Sequence, residues 1–143
     1  MNNTFCHIEL STDDRAGAKK FYKALFGWQF KEMPDMSYTG FTTGAPPGGG
    51  MMGKNMPGQP TAWMPYVEVA SVQKTVAKAK AAGATIYVPF QPIGDMGAIG
   101  VFADPTGAAI GVWEAAKKPA AKKAAPKKAA AKKAAPKKAA KKK

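Results

Sequence analysis

Residues 5–12, FCHIELST, alternate with a two-residue period. Cys6, Ile8 and Leu10 make one row; Phe5, His7, Glu9 and Ser11 make the other. A β-strand sends such rows to opposite faces of a sheet. Residues 64–71, MPYVEVAS, alternate in the same way. Each strand is followed by a helical stretch closed by glycine. The first is TDDRAGAKKFYKALFGW, where Thr12 or Asp13 can cap the start and Gly27 stops the run; the second is VQKTVAKAKAAG, stopped by Gly83. Ala18, Phe21, Tyr22, Leu25 and Phe26 recur at helical spacing, so Phe21, Phe26 and Trp28 read as core packing. Three short strand-like segments come next in each half: WQFKEM, MSYTGFTT and GMMG, then ATIYVPF, MGAIGVFAD and AAIGVWE. DPTG reads as a tight turn, GAPPGGG as another, and KNMPGQPTA as a linker.

The order strand, helix, three strands therefore occurs twice. At an offset of 59, His7 falls on Tyr66 and Glu9 on Glu68; at 58, Gly49 falls on Gly107, Met52 on Ile110 and Gly53 on Gly111. This predicts an α+β fold: two βαβββ modules, about 4–54 and 62–115, within one domain over 1–116.

Charge separates that domain from the rest of the chain. Residues 1–116 hold nine basic and nine acidic residues, and 117–143 hold 13 lysines and no acid. The tail carries the whole net charge of +13. One cysteine, Cys6, excludes an intrachain disulfide, and its row makes it a buried structural thiol. MNNTFCHIEL lacks the pattern of a signal peptide, and no apolar run approaches the roughly 20 residues of a membrane span. The expectation is a cytoplasmic protein, with the tail placing it at the nucleoid.

The segments HIELSTDDRAGAKKFYKALFGW, WMPYVEVASV, AAGA and FADPTGAAIGVWE resemble the vicinal oxygen chelate superfamily of glyoxalases, extradiol dioxygenases and bleomycin-resistance proteins. The resemblance covers about residues 4–115 and implies that the two modules form a curved mixed sheet cup around the site. It implies a metal held by the first and last strands of each module, usually by histidines and a glutamate, with open positions for two vicinal substrate oxygens. Here the first-strand positions carry His7 and Tyr66, and the last-strand positions align with Gly53 and Gly111. His7 is the sole remaining family ligand position, so the expected site lacks the usual metal triad. A divalent metal on His7, Glu9 and Glu68 stays open as an unusual arrangement. Glu114 should face away from the cup.

The inward set expected for the cup is His7, Glu9, Met51, Tyr66, Glu68, Ala109 and Trp113. Tyr66, Met51 and Trp113 would bind a flat, aromatic, polar-edged ligand, and His7, Glu9 and Glu68 could exchange protons with it. A homodimer is expected from the resemblance alone.

The tail, KKPAAKKAAPKKAAAKKAAPKKAAKKK, resembles those of linker histones. Its lysine pairs recur every five residues, which gives no apolar stripe, and Pro119, Pro126 and Pro136 interrupt helices. The expectation is a disordered polyanion-binding segment. Lys117, Lys118, Lys122, Lys123, Lys127, Lys128, Lys132, Lys133, Lys137, Lys138, Lys141, Lys142 and Lys143 would neutralise phosphates of DNA or RNA without reading sequence. Three functions compete. The first is a small-molecule-binding domain tethered to nucleic acid. The second is a glyoxalase-like lyase or isomerase, metal-dependent or working by His/Glu acid–base chemistry. The third is a nucleoid-associated DNA-binding protein whose body only dimerises it.

Overall fold

The computed structural model describes residues 3–116, so the tail lies outside the described residues. The strands are β1 (Phe5–Ser11), β2 (Gln29–Met33), β3 (Tyr38–Thr42), β4 (Gly49–Met52), β5 (Ala62–Glu68), β6 (Thr85–Ile93), β7 (Gly97–Ala103) and β8 (Ala109–Ala115). Two helices, α1 (Arg15–Phe26) and α2 (Val72–Ala81), each follow the first strand of a half. The strands form one mixed sheet in the order β2-β3-β4-β1-β5-β8-β7-β6. The first strands of the halves, β1 and β5, meet antiparallel at its centre, and each runs parallel to its own last strand. The expected βαβββ repeat is present, with the seam between modules made inside one chain.

Both helices cover the same face. Under α2, Val72 and Val76 pack with Val69, Val112, Val67, Ile86 and Phe102. Under α1, Leu10, Met51 and Phe41 pack with Ala18, Tyr22, Trp28 and Phe30. Leu10 pairs with Trp63 across the seam, and Val67 lies on that same row, so the two cores share one side of the sheet. The alternate rows make the other, helix-free face.

Three local readings change. Asp14, not Thr12 or Asp13, caps α1, its carboxylate accepting from the Gly17 N–H at 2.8 Å. Strand β5 begins at Ala62, inside the expected linker, because Ala62 and Trp63 pair with Ser11 and Leu10. Phe21 and Phe26 are 58 % and 56 % exposed rather than core, since α1 faces the sheet through Ala18 and Tyr22. Gly27 ends α1 at φ 70° as expected, a left-handed conformation that a side chain disfavours. Among the described residues, no helix is long and apolar enough to cross a membrane.

Candidate functional site

On the helix-free face, β1 carries His7 and Glu9 beside Tyr66 of β5. Glu9 is a carboxylate only 8 % exposed. Its Oε1 accepts the Tyr66 hydroxyl at 3.1 Å, and its Oε2 accepts the Tyr38 hydroxyl at 3.2 Å. Tyr38 Oη also lies 2.7 Å from His7 Nε2. The Tyr38 hydroxyl therefore stands between His7 Nε2 and the Glu9 carboxylate and links them, with a single proton to give to one of the two. The result is one continuous path, from imidazole through phenol to carboxylate to second phenol. The Tyr66 ring meets the His7 ring edge-on, with centroids 5.9 Å apart.

Glycines make room for these rings. Gly50 of β4 stands opposite Glu9, and a Cβ there would clash with the Tyr38 ring. Gly111 of β8 stands opposite Tyr66, and a Cβ there would clash with the Tyr66 ring. Trp113 lies over Gly97 of β7 in the same manner, its Cζ2 2.9 Å from where a Cβ would be.

Burial sets the electrostatics. It raises the pKa of Glu9 above the usual carboxylate range, against the downward pull of the two phenol hydrogen bonds. It lowers that of His7, which favours the neutral ring. Burial, and then the nearby Glu9 charge, pushes Tyr38 and Tyr66 well above the ordinary phenol range. Neither described ion pair, Lys19–Glu32 or Lys54–Asp13, involves Glu9.

The structure brings together His7, Glu9 and Tyr66 of the expected set. Glu68 and Trp113 pair one step further along β5 and β8, both half-buried. Glu68 has no hydrogen bond from its side chain to the network among the described residues, and its charge, after burial, helps raise the pKa of Cys6. Cys6 sits at a bulge in β1, half-buried, with its thiol 3.5 Å from the Tyr66 carbonyl. Met51 does not belong to this face. It is fully buried with Leu10 and Phe41 beneath α1. The cause is register: β4 places Gly50 beside Glu9, three residues earlier than the expected Gly53, so Met51 turns under the helix. Glu114 does face away, as expected, and its carboxylate accepts the Val72 N–H at the start of α2 at 2.9 Å.

Sequence reasoning missed Tyr38, which is 29 residues from Glu9 and reaches it only through strand pairing. Gly50 of β4 makes the room for its ring, and alternation within a single strand does not show that pairing. The metal that the resemblance implies does not fit this donor set. Its last-strand positions are glycines, and Tyr38 holds Nε2 of the one histidine. Among the described residues no three His, Cys, Asp or Glu side chains are placed around a common point.

Comparison with known proteins agrees with this architecture. Residues 4–44 match the family model "Bleomycin resistance protein-like N-terminal". The chain is 35% identical over 115 residues to the "Putative glyoxylase CFP32" of Mycobacterium tuberculosis, covering 76% of this chain and 44% of that protein. It is 26% identical over 123 residues to "Anthracycline biosynthesis protein DauV" of Streptomyces sp., covering 74% and 45%. The chain thus spans less than half the length of these curated relatives. A solved structure, a glyoxalase/bleomycin resistance protein/dioxygenase superfamily member from Vibrio splendidus, shares the fold with a TM-score of 0.56 at 15% identity, covering 75% of this chain and 95% of that one. The match over residues 4–44, the relatives and the shared fold agree: the described domain is similar to proteins of the glyoxalase and bleomycin-resistance group.

Proposed function

We propose that the domain binds a flat, polar-edged small molecule on its helix-free face without the family's metal triad, and that the lysine tail holds it near nucleic acid. The observation that carries this reading is the His7–Tyr38–Glu9–Tyr66 network, which fills the family's ligand region with phenols; Trp113 stands on β8 across from Glu68. His7, Tyr38, Trp113 and Glu68 are half-buried, and Glu9 and Tyr66 are buried. An aromatic ligand would stack on Trp113 and hydrogen-bond to the half-buried polar side chains. The exposed Phe21, Leu25 and Phe26 of α1 support a homodimer, which light scattering would weigh directly.

The test is a thermal-shift screen of aromatic compounds, with divalent metals in parallel, on the full chain. Aromatic hits should stabilise the protein, lose their effect in Trp113→Ala and weaken in His7→Ala. A shift from Ni, Zn, Mn or Fe(II) that disappears in His7→Ala would overturn the metal-free reading.

The hydrogen-bonded path also favours a second reading, an acid–base lyase or isomerase. Neutral His7 can take a proton from substrate. The imidazolium formed would be stabilised through Tyr38 by the Glu9 carboxylate, two bonds away. In that case His7→Ala abolishes turnover, whereas it only weakens binding under the first reading.

A further inference from the structure

Helix α2 meets the edge strand β6 along a groove. Gln73, Val76, Ala77 and Lys80 recur at helical spacing, so they form a single stripe of α2, and that stripe is one wall. Ile86, Pro89 and Phe90 of β6 form the other. The space between the walls is about 550 Å³. Pro89 and Phe90 are consecutive, and in a regular strand they would face opposite ways. The ladder slips between Val88 and Gln91, and the bulge there lets both line the same groove. Val76 and Ile86 also belong to the core beneath α2, so they floor the groove, while Phe90 is 42 % exposed at its side. The groove lies on the helix-covered face, apart from the His7–Tyr38–Glu9–Tyr66 network.

Its chemistry is uneven. Apart from Gln73 and Lys80 the lining is apolar, and these two stand at opposite ends of the stripe, roughly 10 Å apart along the helix. Helix α2 carries Lys74, Lys78 and Lys80 and no acid, and β6 carries no charged residue. Neither described ion pair involves Lys80. Asp104, whose neighbour Pro105 lies against Gly83 just past the helix, has its Oδ1 engaged by Thr106 and Ala108. Glu114 is engaged at the other end of α2. An apolar slot with an unpaired cation at one end complements an apolar anion. Pro89 and Pro92 offer no N–H along the free edge of β6, which disfavours an added strand as the occupant. We infer that this groove binds a small apolar carboxylate, an aryl- or alkyl-carboxylic acid in its ionised form. The apolar body would lie along Val76, Ala77 and Ile86 against Phe90. The carboxylate would meet the Lys80 ammonium, which its long stem carries to the water at the mouth of the groove.

4-Phenylbutyrate and 4-phenyl-1-butanol share a ring and a chain and differ in charge. Each is titrated into the isotopically labelled full chain, and amide shifts are followed by nuclear magnetic resonance. Shifts should centre on residues 73–80 and 86–91. Ala77→Trp, which fills the groove from an exposed position, should abolish them. The acid should bind about threefold more tightly than the alcohol, the scale of one exposed ion pair. Lys80→Gln should close that gap and Lys80→Arg should keep it. Lys74→Gln removes the same charge outside the groove and should leave the gap unchanged. Equal affinity of acid and alcohol in the parent overturns the anion, as does a gap that Lys74→Gln narrows as much as Lys80→Gln does. Acid-induced shifts confined to the lysine tail, or groove shifts that survive Ala77→Trp, overturn the site. Should Ala77→Trp fail to fold, the comparison of Lys80→Gln with Lys74→Gln decides.

Discussion

Glu9 is where this fold accepts a cost. Its pKa is raised in the folded state above the ordinary 4.5. Between those two values the folded chain binds more protons than the unfolded chain, so stability falls as pH rises through the interval. Above it the ionised, buried carboxylate is a standing penalty. Glu9→Gln removes the charge and keeps an oxygen for the phenols. Its melting temperature at pH 7 should therefore exceed the parent's, by about 1 kcal/mol or roughly 4–8 °C. The advantage should shrink toward pH 4.5, and melting curves taken across that range would show it. A carboxylate that costs the folded protein stability is what the proposed binding role would account for, as a trade of stability against function. Period-two alternation makes His7, Glu9 and Tyr66 legible as one cluster in the sequence, because strands fix faces. Tyr38 is not legible there, because its position depends on how β3 registers against β4, and alternation within one strand carries no information about its neighbour.

The two helices are equivalent in order and unlike in attachment. Helix α2 buries Val72 and Val76 and is anchored at its start by Glu114 from the end of the sheet. Helix α1 has no buried residue and stacks Tyr22 between Trp28, Phe26 and Trp63. Helical spacing identifies both, yet it places Phe21 and Phe26 inside, because periodicity shows that a helix has an apolar stripe and not how much of the stripe the sheet covers. Glu114 illustrates the opposite case. Alternation correctly turns it away from the helix-free face but gives it no task, and the task comes from α2 reaching back over β8. Glu114→Ala leaves the N–H of fully buried Val72 without its acceptor and should cost about 1–2 kcal/mol in urea unfolding. Glu114→Gln retains an acceptor oxygen and should recover most of that loss.

At the scale of the whole chain, a formally neutral body is joined to a strongly basic tail. If half of the 13 tail lysines engage duplex DNA, the log–log dependence of affinity on salt should have a slope of roughly −5 to −6. Filter binding across a salt series measures it, and a chain ending at residue 116 should show almost no slope and no binding. The duplication is legible because strand, helix and three strands recur in order. The partnering of β1 with β5 within one chain is not, since the same ladder could join two chains. That ladder sits at the middle of the sheet, and residues 53–61 alone carry the backbone from one module to the other. In that crossing Gln59 accepts the Asn55 and Met56 N–H groups and donates to Ser11 of β1, and Lys54 pairs with Asp13 just beyond it, so side chains tie the loop to the end of β1. The covalent link and the hydrogen-bonded link between the halves are therefore separate things. A chain reordered to begin at β5 and finish at β4 would keep every strand neighbour of this sheet, which makes the crossing loop, rather than any part of the helix-free face, the natural place to open the polypeptide or to insert another one.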